Sequence, residues 1–312
     1  MNQLNFQDIL DAKRRINKYI INTPLINIKE LDHDFGCNIF FKMDNQQITH
    51  SFKARGAFNA VLSYQEKFGQ MPAKIVAQSS GNHAQAVAFV GKYFSIPVLI
   101  YMANITSPFK VQATRDLGAQ VILCAKRSEA NFLAEQKQQE GYFFIHPSDN
   151  DDVIAGQGTC ALEALENINN KVTAIFAPCG GGGLLSGSLI TSRGFDNAIK
   201  IIGCEPLNAN DAKRSVQAKN ILGYSESPNT IADGARTLKV SARCFNYLQQ
   251  LSDIIEINEE KILFWQKKLC QLIDQKIEPT AALSMAGCEQ YIQNNPINKD
   301  DRFIVIISGG NL

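Results

Sequence analysis

A single lysine in a short polar loop is the first residue of this chain whose surroundings suggest chemistry. Lys53 follows Ser51 and Phe52 and precedes Arg55-Gly56 and a run with helical spacing that reaches Tyr64. A lysine enclosed in a desolvated site loses its charge and can form a Schiff base with a carbonyl compound. Most lysines are solvated surface residues, so this interpretation depends on the other segments that accompany Lys53.

Four consecutive glycines form the second candidate segment. They are Gly180, Gly181, Gly182 and Gly183, followed by Leu184. The run lies where a predicted strand gives way to a predicted helix, so its N–H groups and the helix N-terminus can converge on a phosphate. It lacks the Gly-Lys-Ser/Thr of a Walker loop and the spacing of a dinucleotide fingerprint. A flexible loop is the alternative, but four glycines carry a large entropic cost on ordering.

A third segment, Ser79-Ser80-Gly81-Asn82-His83, joins another predicted strand to a helix. Its hydroxyls, amide and N–H groups can hold a carboxylate without a fixed positive charge. Serine and asparagine are also preferred helix N-caps, so the segment alone is equally a cap. His83 alone is more often a structural histidine than a base.

Strands and helices alternate along most of the chain. Predicted strands cover residues 38–43, 74–77, 96–102, 120–124, 172–178, 200–204, 253–257 and 302–307. Predicted helices cover residues 5–20, 83–93, 108–117, 128–139, 151–166, 184–191, 210–218, 259–273 and 280–294. Alternation of this kind, with strands that are apolar throughout, predicts an α/β fold of mostly parallel sheets covered by helices on both faces. Ligands bind such sheets at the carboxyl ends of the strands, where the three segments lie.

The order of elements also predicts two lobes. Residues 72–145 form a self-contained series of three strands with helices, which predicts a small domain. Residues 1–71 and 146–312 would combine both ends of the chain in a large domain. A chain of 312 residues is long enough for this division.

Composition excludes several classes of function. The net charge is +1, with 45% hydrophobic and 20% charged residues, which gives no reason to expect nucleic acid or a membrane as partner. The N-terminal stretch does not resemble a signal peptide, so a cytoplasmic enzyme is expected. Eight cysteines are scattered without CxxC or metal spacing and are expected to be free buried thiols, with Cys179 beside the glycines the one that could be more exposed.

Six segments, taken in order, resemble a known motif set. They are SFKARGA at 51–57, SSGNHAQA at 79–86, PCGGGGLLSG at 178–187, TIADGART at 230–237, EPTAA at 278–282 and SGGN at 308–311. This set is similar to that of the two-lobed fold-type II pyridoxal-phosphate enzymes, with a tryptophan synthase β-like fold, in the branch of serine/threonine dehydratases and serine racemase. The similarity covers nearly the whole chain, and six motifs in order are more specific than any one of them.

The resemblance implies a role for each matching residue. Lys53 would carry pyridoxal 5'-phosphate as a Schiff base and move the substrate's α-proton, with Phe52 against the cofactor ring. The other cofactor contacts would be Gly180, Gly181, Gly182, Gly183 and Leu184 to the phosphate, Asn82 to the ring hydroxyl and Ser308 to the pyridine nitrogen, with Gly234 and Glu278 lining the pocket. Ser79, Ser80, Asn82 and His83 would bind the carboxylate of an amino-acid substrate.

The implied reaction is β-elimination from L-threonine or L-serine, which gives a 2-oxo acid and ammonia. Two alternatives within the same family are serine racemase with side dehydratase activity and L-threo-3-hydroxyaspartate dehydratase. In racemase members a serine at the place of Ser80 is the second acid/base. An alternative outside the family is a noncatalytic phosphate-binding module, which would need no Schiff-base lysine. A homodimer is expected because dimers are common in the family.

The resemblance extends to a cation site and includes three departures. Glu205, the Ala209 carbonyl and Asp211 match the divalent-cation site of racemase-like members, and oxygen ligands suit Mg²⁺, Ca²⁺ or Mn²⁺. The departures are His50 in place of glycine, Asp44 in place of glutamate, and no clear counterpart of the racemase's substrate-triggering arginine, since Arg127 lies a few residues early and Asn131 near the expected place.

Overall fold

The structure is a computed structural model that describes residues 3–311. Within this range the chain forms twelve α-helices and ten β-strands. The helices are α1 (Phe6–Ile16), α2 (Lys29–Phe35), α3 (Lys53–Phe68), α4 (Asn82–Phe94), α5 (Pro108–Asp116), α6 (Arg127–Gln139), α7 (Asp151–Glu166), α8 (Gly183–Phe195), α9 (Asp211–Ala218), α10 (Ala242–Leu248), α11 (Glu259–Ile273) and α12 (Pro279–Asn294). The strands are β1 (Leu25–Asn27), β2 (Asn38–Met43), β3 (Ile75–Gln78), β4 (Val98–Ala103), β5 (Gln120–Cys124), β6 (Phe143–Phe144), β7 (Ala174–Pro178), β8 (Lys200–Pro206), β9 (Asp253–Ile257) and β10 (Arg302–Ile307).

A six-stranded sheet joins both ends of the chain, in the order β1-β2-β10-β7-β8-β9. All neighbours are parallel except β1 and β2. Alternate residues of β10 enter two different core clusters. Ile304 and Ile306 pack with residues of α1, α7 and α8, whereas Val305 and Ile307 pack with residues of α11 and α12. Helices therefore cover both faces of this sheet, as the apolar strands predict.

A second, four-stranded parallel sheet has the order β5-β4-β3-β6. All its strands lie between residues 75 and 144, in the range predicted for a small domain. The sequence pattern predicts three strands in this range and gives no signal for β6, which is only two residues long. The division of the chain into two domains at residues 72 and 145 stays a prediction.

One strand corrects the expectation that every strand is covered on both faces. β5 is largely exposed, and 49% of the Leu123 surface is accessible to solvent. The physical reason is its position, because β5 is an edge strand that pairs only with β4.

Several element boundaries differ from the predicted ones. The first helix ends at Ile16, with Asn17 as its C-cap, rather than at residue 20. Besides β6, three short elements were missed, namely β1, α2 and α10. α2 is a mostly polar seven-residue segment. Its C-cap is Gly36, which has a φ of +66°. Such short elements have too few residues to establish an apolar period.

The cysteines are free, as expected, and seven of the eight are buried. The suggestion that Cys179 is more exposed than the others is wrong, because only 1% of its surface is accessible. Cys179 directly follows β7, and its N–H donates to the Cys204 carbonyl of the neighbouring strand. No helix in the described part of the chain combines the length and the apolar character needed to cross a membrane.

Candidate active site

Lys53 is the first residue of α3. It directly follows a short loop that is hydrogen-bonded to the residues after β10. The N–H of Phe52 donates to the Ser308 carbonyl at 3.0 Å, and Ser51 forms an isolated bridge with Gly309. The predicted lysine segment and the predicted SGGN segment are therefore neighbours, although more than 250 residues of sequence separate them. The chain brings them together because β2 and β10 are adjacent parallel strands.

The Lys53 side chain is held in an environment that disfavours its charge. Its Nζ donates to the Pro147 carbonyl at 3.1 Å and lies 4.9 Å from the centre of the Phe52 ring. Burial lowers the pKa of Lys53 from 10.5 to about 8, although Cys244 and Glu278 partly oppose this shift. A lysine of this kind is readily available as a nucleophile and as a base.

The glycine run forms the turn between β7 and α8, as predicted. The neighbours are so close that side chains have no space: a Cβ on Gly181 would lie 2.2 Å from Ser148 Oγ, and one on Gly180 would lie 2.7 Å from the Gly234 carbonyl oxygen. Gly182 has a φ of +93°, a conformation that favours glycine. α8 begins at Gly183 without a side-chain cap, so the N–H groups of its first turn are available to an anion.

A loop that the sequence analysis missed lies between the lysine and the glycines. It runs from His146 to Asp149, directly after β6. His146 Nδ1 accepts hydrogen bonds from the N–H groups of Ser148 and Asp149 at 3.2 and 2.7 Å, and burial lowers the pKa of His146 to about 4. The signal that was available is a His-Pro-Ser-Asp run after an apolar strand, where ligand-binding loops occur.

Three other predicted residues lie together at the junction of the two sheets. Asn82, the first residue of α4, donates from Nδ2 to both carboxylate oxygens of Glu278 at 2.9 Å. Burial raises the pKa of Glu278 to about 7. Ser308 is buried after β10, and its hydroxyl has no hydrogen-bond partner in the described structure. A buried hydroxyl of this kind is expected to have a partner that the protein itself does not supply.

The serine loop after β3 leads directly into Asn82, and the His83 side chain that follows contacts the Ile145 carbonyl. Ser79 and Ser80 are partly buried, and Ser79 Oγ accepts from the Gly81 N–H at 3.3 Å. The His83 Nε2 lies 2.8 Å from the Ile145 carbonyl oxygen, and burial lowers the pKa of this histidine to about 3. The His83 side chain is therefore a neutral, buried group. If this residue contacts a substrate carboxylate, the contact is made by its backbone N–H.

Gly234 lies in a turn that faces the small sheet. Its N–H donates to Thr280 Oγ1 at 3.0 Å. Beside it, Asp233 forms an ion pair with Lys110 of α5, and the Arg127 guanidinium at the start of α6 donates to the Arg236 carbonyl. Arg127 thus contacts the TIADGART segment rather than any of the predicted substrate-binding residues.

The predicted cation-site residues are buried at the junction of β8 and α9. Glu205 and Asp211 are only 1% and 2% exposed. Glu205 accepts from the N–H groups of Ala212 and Lys213, and Asp211 Oδ2 has no partner in the described structure. Burial raises the pKa of Glu205 to about 8 and that of Asp211 to about 7. Among the described residues, no cluster of three or more His, Cys, Asp or Glu side chains could hold a metal.

The structure gives physical reasons for two of the departures. His50 has a φ of +53°, in the left-handed region that favours glycine. Its side chain is exposed. Asp44 is fully buried and accepts from Arg55 Nε at 2.7 Å, so it has a structural ionic partner.

The fold and the site together define a class of protein. Two mostly parallel sheets bring a lysine of lowered pKa next to a glycine turn that opens a helix. A ligand with both a carbonyl and a phosphate would satisfy the lysine and the turn, and a further polar atom of the ligand could pair with the Ser308 hydroxyl, which has no partner in the described structure. The arrangement is that of an α/β enzyme that works through a Schiff base with a phosphorylated cofactor.

Comparison with known proteins identifies the family. Residues 16–309 match the family model described as "Pyridoxal-phosphate dependent enzyme", and the chain belongs to this family. It is 35% identical to L-threo-3-hydroxyaspartate ammonia-lyase of Saccharomyces cerevisiae, over 98% of this chain and 93% of that protein. It is 34% identical to the catabolic L-threonine dehydratase of Staphylococcus aureus, over 98% of this chain and 88% of that protein. The crystal structure of serine racemase from Dictyostelium discoideum has a TM-score of 0.89 and 34% identity, with 99% of each chain covered.

These findings confirm the predicted family and the α/β fold of mostly parallel sheets covered by helices. They also confirm pyridoxal phosphate as the cofactor of the family.

Proposed function

We propose that this protein is an ammonia-lyase that uses pyridoxal 5'-phosphate to eliminate the β-hydroxyl of L-threonine or L-serine. The observation that carries the proposal is the partly buried Lys53, whose pKa is lowered to about 8 and whose side chain contacts the same 146–149 loop that packs against the glycine turn. The relatives support it, since an ammonia-lyase and a dehydratase are among them. L-threo-3-hydroxyaspartate is an alternative substrate, because two relatives are named L-threo-3-hydroxyaspartate ammonia-lyase.

The cofactor contacts follow the chemistry of the groups present. Lys53 would hold the aldehyde carbon, Phe52 would lie against the ring, and the N–H groups of residues 180–184 would hold the phosphate. Asn82 would bond the ring hydroxyl and Ser308 Oγ the pyridine nitrogen, with Gly234 and Glu278 lining the pocket. The bound cofactor supplies an electron-accepting ring next to the substrate's α-carbon.

Lys53 performs the proton transfer in this proposal. With the substrate amine bound in its place, Lys53 Nζ would be free to remove the α-proton, and a base positioned in this way contributes about 10²–10⁴-fold to the rate. The substrate carboxylate is held by the N–H groups and hydroxyls of Ser79, Ser80, Asn82 and His83. Ser308 would offer the ring nitrogen a neutral hydroxyl instead of a carboxylate that holds a proton there, which would favour loss of the β-hydroxyl over transamination.

Serine racemisation is the second candidate function. Its support is the similarity to serine racemases. In those enzymes a serine at the place of Ser80 acts as the second acid/base, on the face opposite the lysine. The absence of an arginine at the position expected in α6 argues for the lyase.

The deciding experiment follows pyruvate and D-serine together after addition of L-serine and Mg²⁺, in the native protein and in Ser80→Ala. Pyruvate alone, with little effect of Ser80→Ala, supports the lyase. Both products, with selective loss of D-serine in Ser80→Ala, would replace the lyase with a racemase. Ser79→Ala is the matched control, since it changes the same loop but not the proposed acid/base. Parallel assays with L-threonine and L-threo-3-hydroxyaspartate rank the substrates.

Lys53→Ala distinguishes an enzyme from a noncatalytic phosphate-binding module. The native protein is expected to be yellow with a visible Schiff-base absorption, and Lys53→Ala to lack this band and all lyase activity. A native protein that shows no visible absorption after incubation with pyridoxal phosphate and removal of the free cofactor would favour the binding module.

We propose a divalent cation at Glu205, the Ala209 carbonyl and Asp211. Two buried carboxylates, one with an oxygen that lacks a partner, are suited to Mg²⁺, Ca²⁺ or Mn²⁺. We further propose a large domain of residues 1–71 and 146–312, a small domain of residues 72–145, a homodimer and a cytoplasmic location. These four rest on the resemblance and the chain pattern.

A further inference from the structure

Two positive and two negative side chains are buried together beside the first turn of α3. The Arg55 guanidinium donates to both oxygens of Asp44 at 2.7 and 2.8 Å and to both oxygens of Glu163 at 2.7 Å. Lys42 Nζ donates to Glu163 at 2.7 Å and to the Thr23 carbonyl at 2.6 Å. All four side chains are at most 6% exposed. We call Lys42, Asp44, Arg55 and Glu163 the buried ion cluster.

The buried ion cluster is close to Lys53 along the chain and through hydrogen bonds. Arg55 is two residues after Lys53, and its N–H donates to the Phe52 carbonyl at 3.0 Å. α3 has no side-chain N-cap, so the cluster and the β10 contacts are what fix its first turn. The carboxylates of Asp44 and Glu163 also suit the positive end of this helix.

Glu163 belongs to α7, which lies between α3 and α8. A Cβ on Gly156 would lie 2.6 Å from the Arg55 carbonyl oxygen, and the Gly56 N–H donates to Gln157 Oε1 at 3.2 Å. On the other side, a Cβ on Gly187 would lie 2.5 Å from the Gly158 nitrogen. α7 therefore contacts the backbone of α3 just after Lys53 and the backbone of α8 just after the glycine turn.

In the proposed site, Lys53 at the start of α3 is the covalent anchor of the cofactor, and the glycine turn at the start of α8 is its phosphate anchor. Because α7 lies between these two helices, it sets the distance between the two anchors. Backbone contacts through glycine leave no side chain to flex, and a bidentate guanidinium fixes both distance and orientation. Thr159 of α7 reinforces the connection by accepting from Arg55 Nη1 at 3.2 Å.

We infer that Arg55 and Glu163 are positioning residues, which hold Lys53 at the reach of the cofactor aldehyde while the glycine turn of α8 holds the phosphate. Through α7, the buried ion cluster sets the distance between the covalent anchor and the phosphate anchor. This inference rests on the proposed pyridoxal-phosphate chemistry and assigns to these residues no direct contact with substrate.

The test compares two ligands in Glu163→Gln. Pyridoxal 5'-phosphate needs both anchors, whereas pyridoxine 5'-phosphate has no aldehyde and needs only the phosphate anchor. Glu163→Gln is expected to weaken the visible Schiff-base signal titrated with pyridoxal phosphate by at least about tenfold, because small misplacements of reacting groups carry large costs. Binding of pyridoxine phosphate, followed by calorimetry, is expected to change less than about twofold, or about 0.4 kcal/mol against the 1.4 kcal/mol that a factor of ten represents.

Two control variants separate positioning from general stability. Glu166→Gln lies on the same helix but removes only the surface pair with Lys13, and it is expected to leave both affinities unchanged. Leu269→Ala creates a cavity at a buried position of α11, on the other face of the large sheet, and is expected to lower the melting temperature while both affinities stay the same. If Glu163→Gln behaves like Leu269→Ala, or weakens both ligands equally, the cluster only stabilises the fold and the inference is wrong.

A milder variant decides the matter if Glu163→Gln does not fold. Thr159→Val keeps every charge and removes one hydrogen bond to Arg55, so a few-fold loss confined to pyridoxal phosphate is expected. Equal affinities for both ligands in folded Thr159→Val and native protein would then overturn the inference. Native protein that forms no Schiff base at all would contradict the proposed function instead, which keeps the two failures distinct.

Discussion

Lys53 combines two properties that oppose each other in water. A free amine is needed for attack on a carbonyl, yet an ordinary lysine is charged at neutral pH. Burial shifts the balance by penalising the ammonium form, and the Pro147 carbonyl then holds the side chain in place. The protein achieves this without a neighbouring arginine or lysine among the causes of the shift.

The lowered pKa of Lys53 predicts a pH profile for its reactivity. In cofactor-free protein, reductive methylation of Lys53 is expected to rise through a midpoint at about pH 8, because the neutral amine predominates only above its pKa. Peptide mass spectrometry after brief labelling at several pH values measures the midpoint. A midpoint near 10.5, the ordinary lysine value, would show that burial does not act on this side chain.

The glycine turn predicts the effect of a single methyl group. A Cβ on Gly181 would lie 2.2 Å from Ser148 Oγ and 2.9 Å from its Cβ, so Gly181→Ala must displace the loop at 146–149 or the turn itself. Overpacking of this kind costs about 1–3 kcal/mol, which predicts about 5- to 150-fold weaker binding of pyridoxine phosphate.

A second substitution tests this explanation. Gly181→Ala with Ser148→Gly removes the atoms that the new methyl meets, and binding is expected to return most of the way to the native affinity. If the double variant binds no better than Gly181→Ala, the loss comes from the changed backbone of residue 181 rather than from the contact with Ser148.

At the scale of elements, the buried ion cluster beside α3 stabilises the protein only when all four of its charged side chains are present. Replacing one partner leaves the others buried without compensation, which costs about 3–5 kcal/mol. Asp44→Asn is therefore expected to lower the free energy of unfolding in urea by about this amount, whereas Glu166→Gln, on the surface, changes it by about 0–1 kcal/mol. Similar values for the two variants would contradict the assignment of Asp44 as a compensating charge.

The stability that Asp44 contributes also depends on pH, with a defined sign. The ion pair with Arg55 holds the pKa of Asp44 below the usual 3.8, although burial opposes this. The stabilisation is therefore complete above about pH 3.8 and is lost as the pH falls through the lowered value.

The junction of β8 and α9 predicts a stability effect of divalent cations. Because Glu205 and Asp211 are both buried, their repulsion destabilises the protein unless a cation or protons compensate it. Mg²⁺ or Ca²⁺ is expected to raise the melting temperature of the native protein by several degrees. Asp211→Asn is expected to melt higher than native protein in chelator but to gain nothing from the cation.

Asp253→Asn is the control for this effect, since Asp253 is an exposed carboxylate on the adjacent strand β9. It should respond to the cation as the native protein does. A cation response that persists in Asp211→Asn would place the cation elsewhere.

The elements that carry the site were predictable because each motif is local. A strand, a glycine turn and a helix start within ten residues, as at Pro178–Gly187, and the apolar pattern gives both boundaries. What the sequence could not provide is which motifs become neighbours. The Pro147 carbonyl reaches Lys53 across 94 residues, and neither proline nor the adjacent Ser148 has a pattern that indicates this contact.

The same limit explains the missed ion cluster. Lys42, Asp44 and Arg55 read as ordinary charged residues near the ends of elements, and charged residues are rarely buried without partners. Their partner Glu163 is 108 residues from Arg55, in a helix whose other residues fit a simple apolar pattern. Only the packing of α3 on α7 identifies the set.

At the scale of the whole molecule, the ion pair of Lys110 and Asp233 connects the part of the chain that holds the small sheet to the TIADGART segment. Either single change, Lys110→Asp or Asp233→Lys, is expected to raise KM for L-serine by juxtaposing like charges. The charge-exchanged double variant is expected to recover part of the loss. Because both side chains are partly exposed, the coupling energy should be no more than about 1 kcal/mol.

A double-mutant cycle on kcat/KM measures this coupling. Additive effects of the two changes would mean that the pair does not contribute to holding the site together. Lys137→Asp with Glu140→Lys provides a comparison, since that pair lies on the surface of one helix turn and joins no separate parts of the chain.

The position of β10 has a consequence for biosynthesis. β10 is inserted between β2 and β7, and the residues that follow it fasten the lysine loop. The small sheet is complete once residue 144 has left the ribosome, but in the large sheet the edges of β2 and β7 that pair with β10 stay unpaired until residue 307 has emerged. During translation these edges are open to pairing with other chains, so a nascent chain stalled before β10 would present an aggregation-prone sheet and no place for its cofactor.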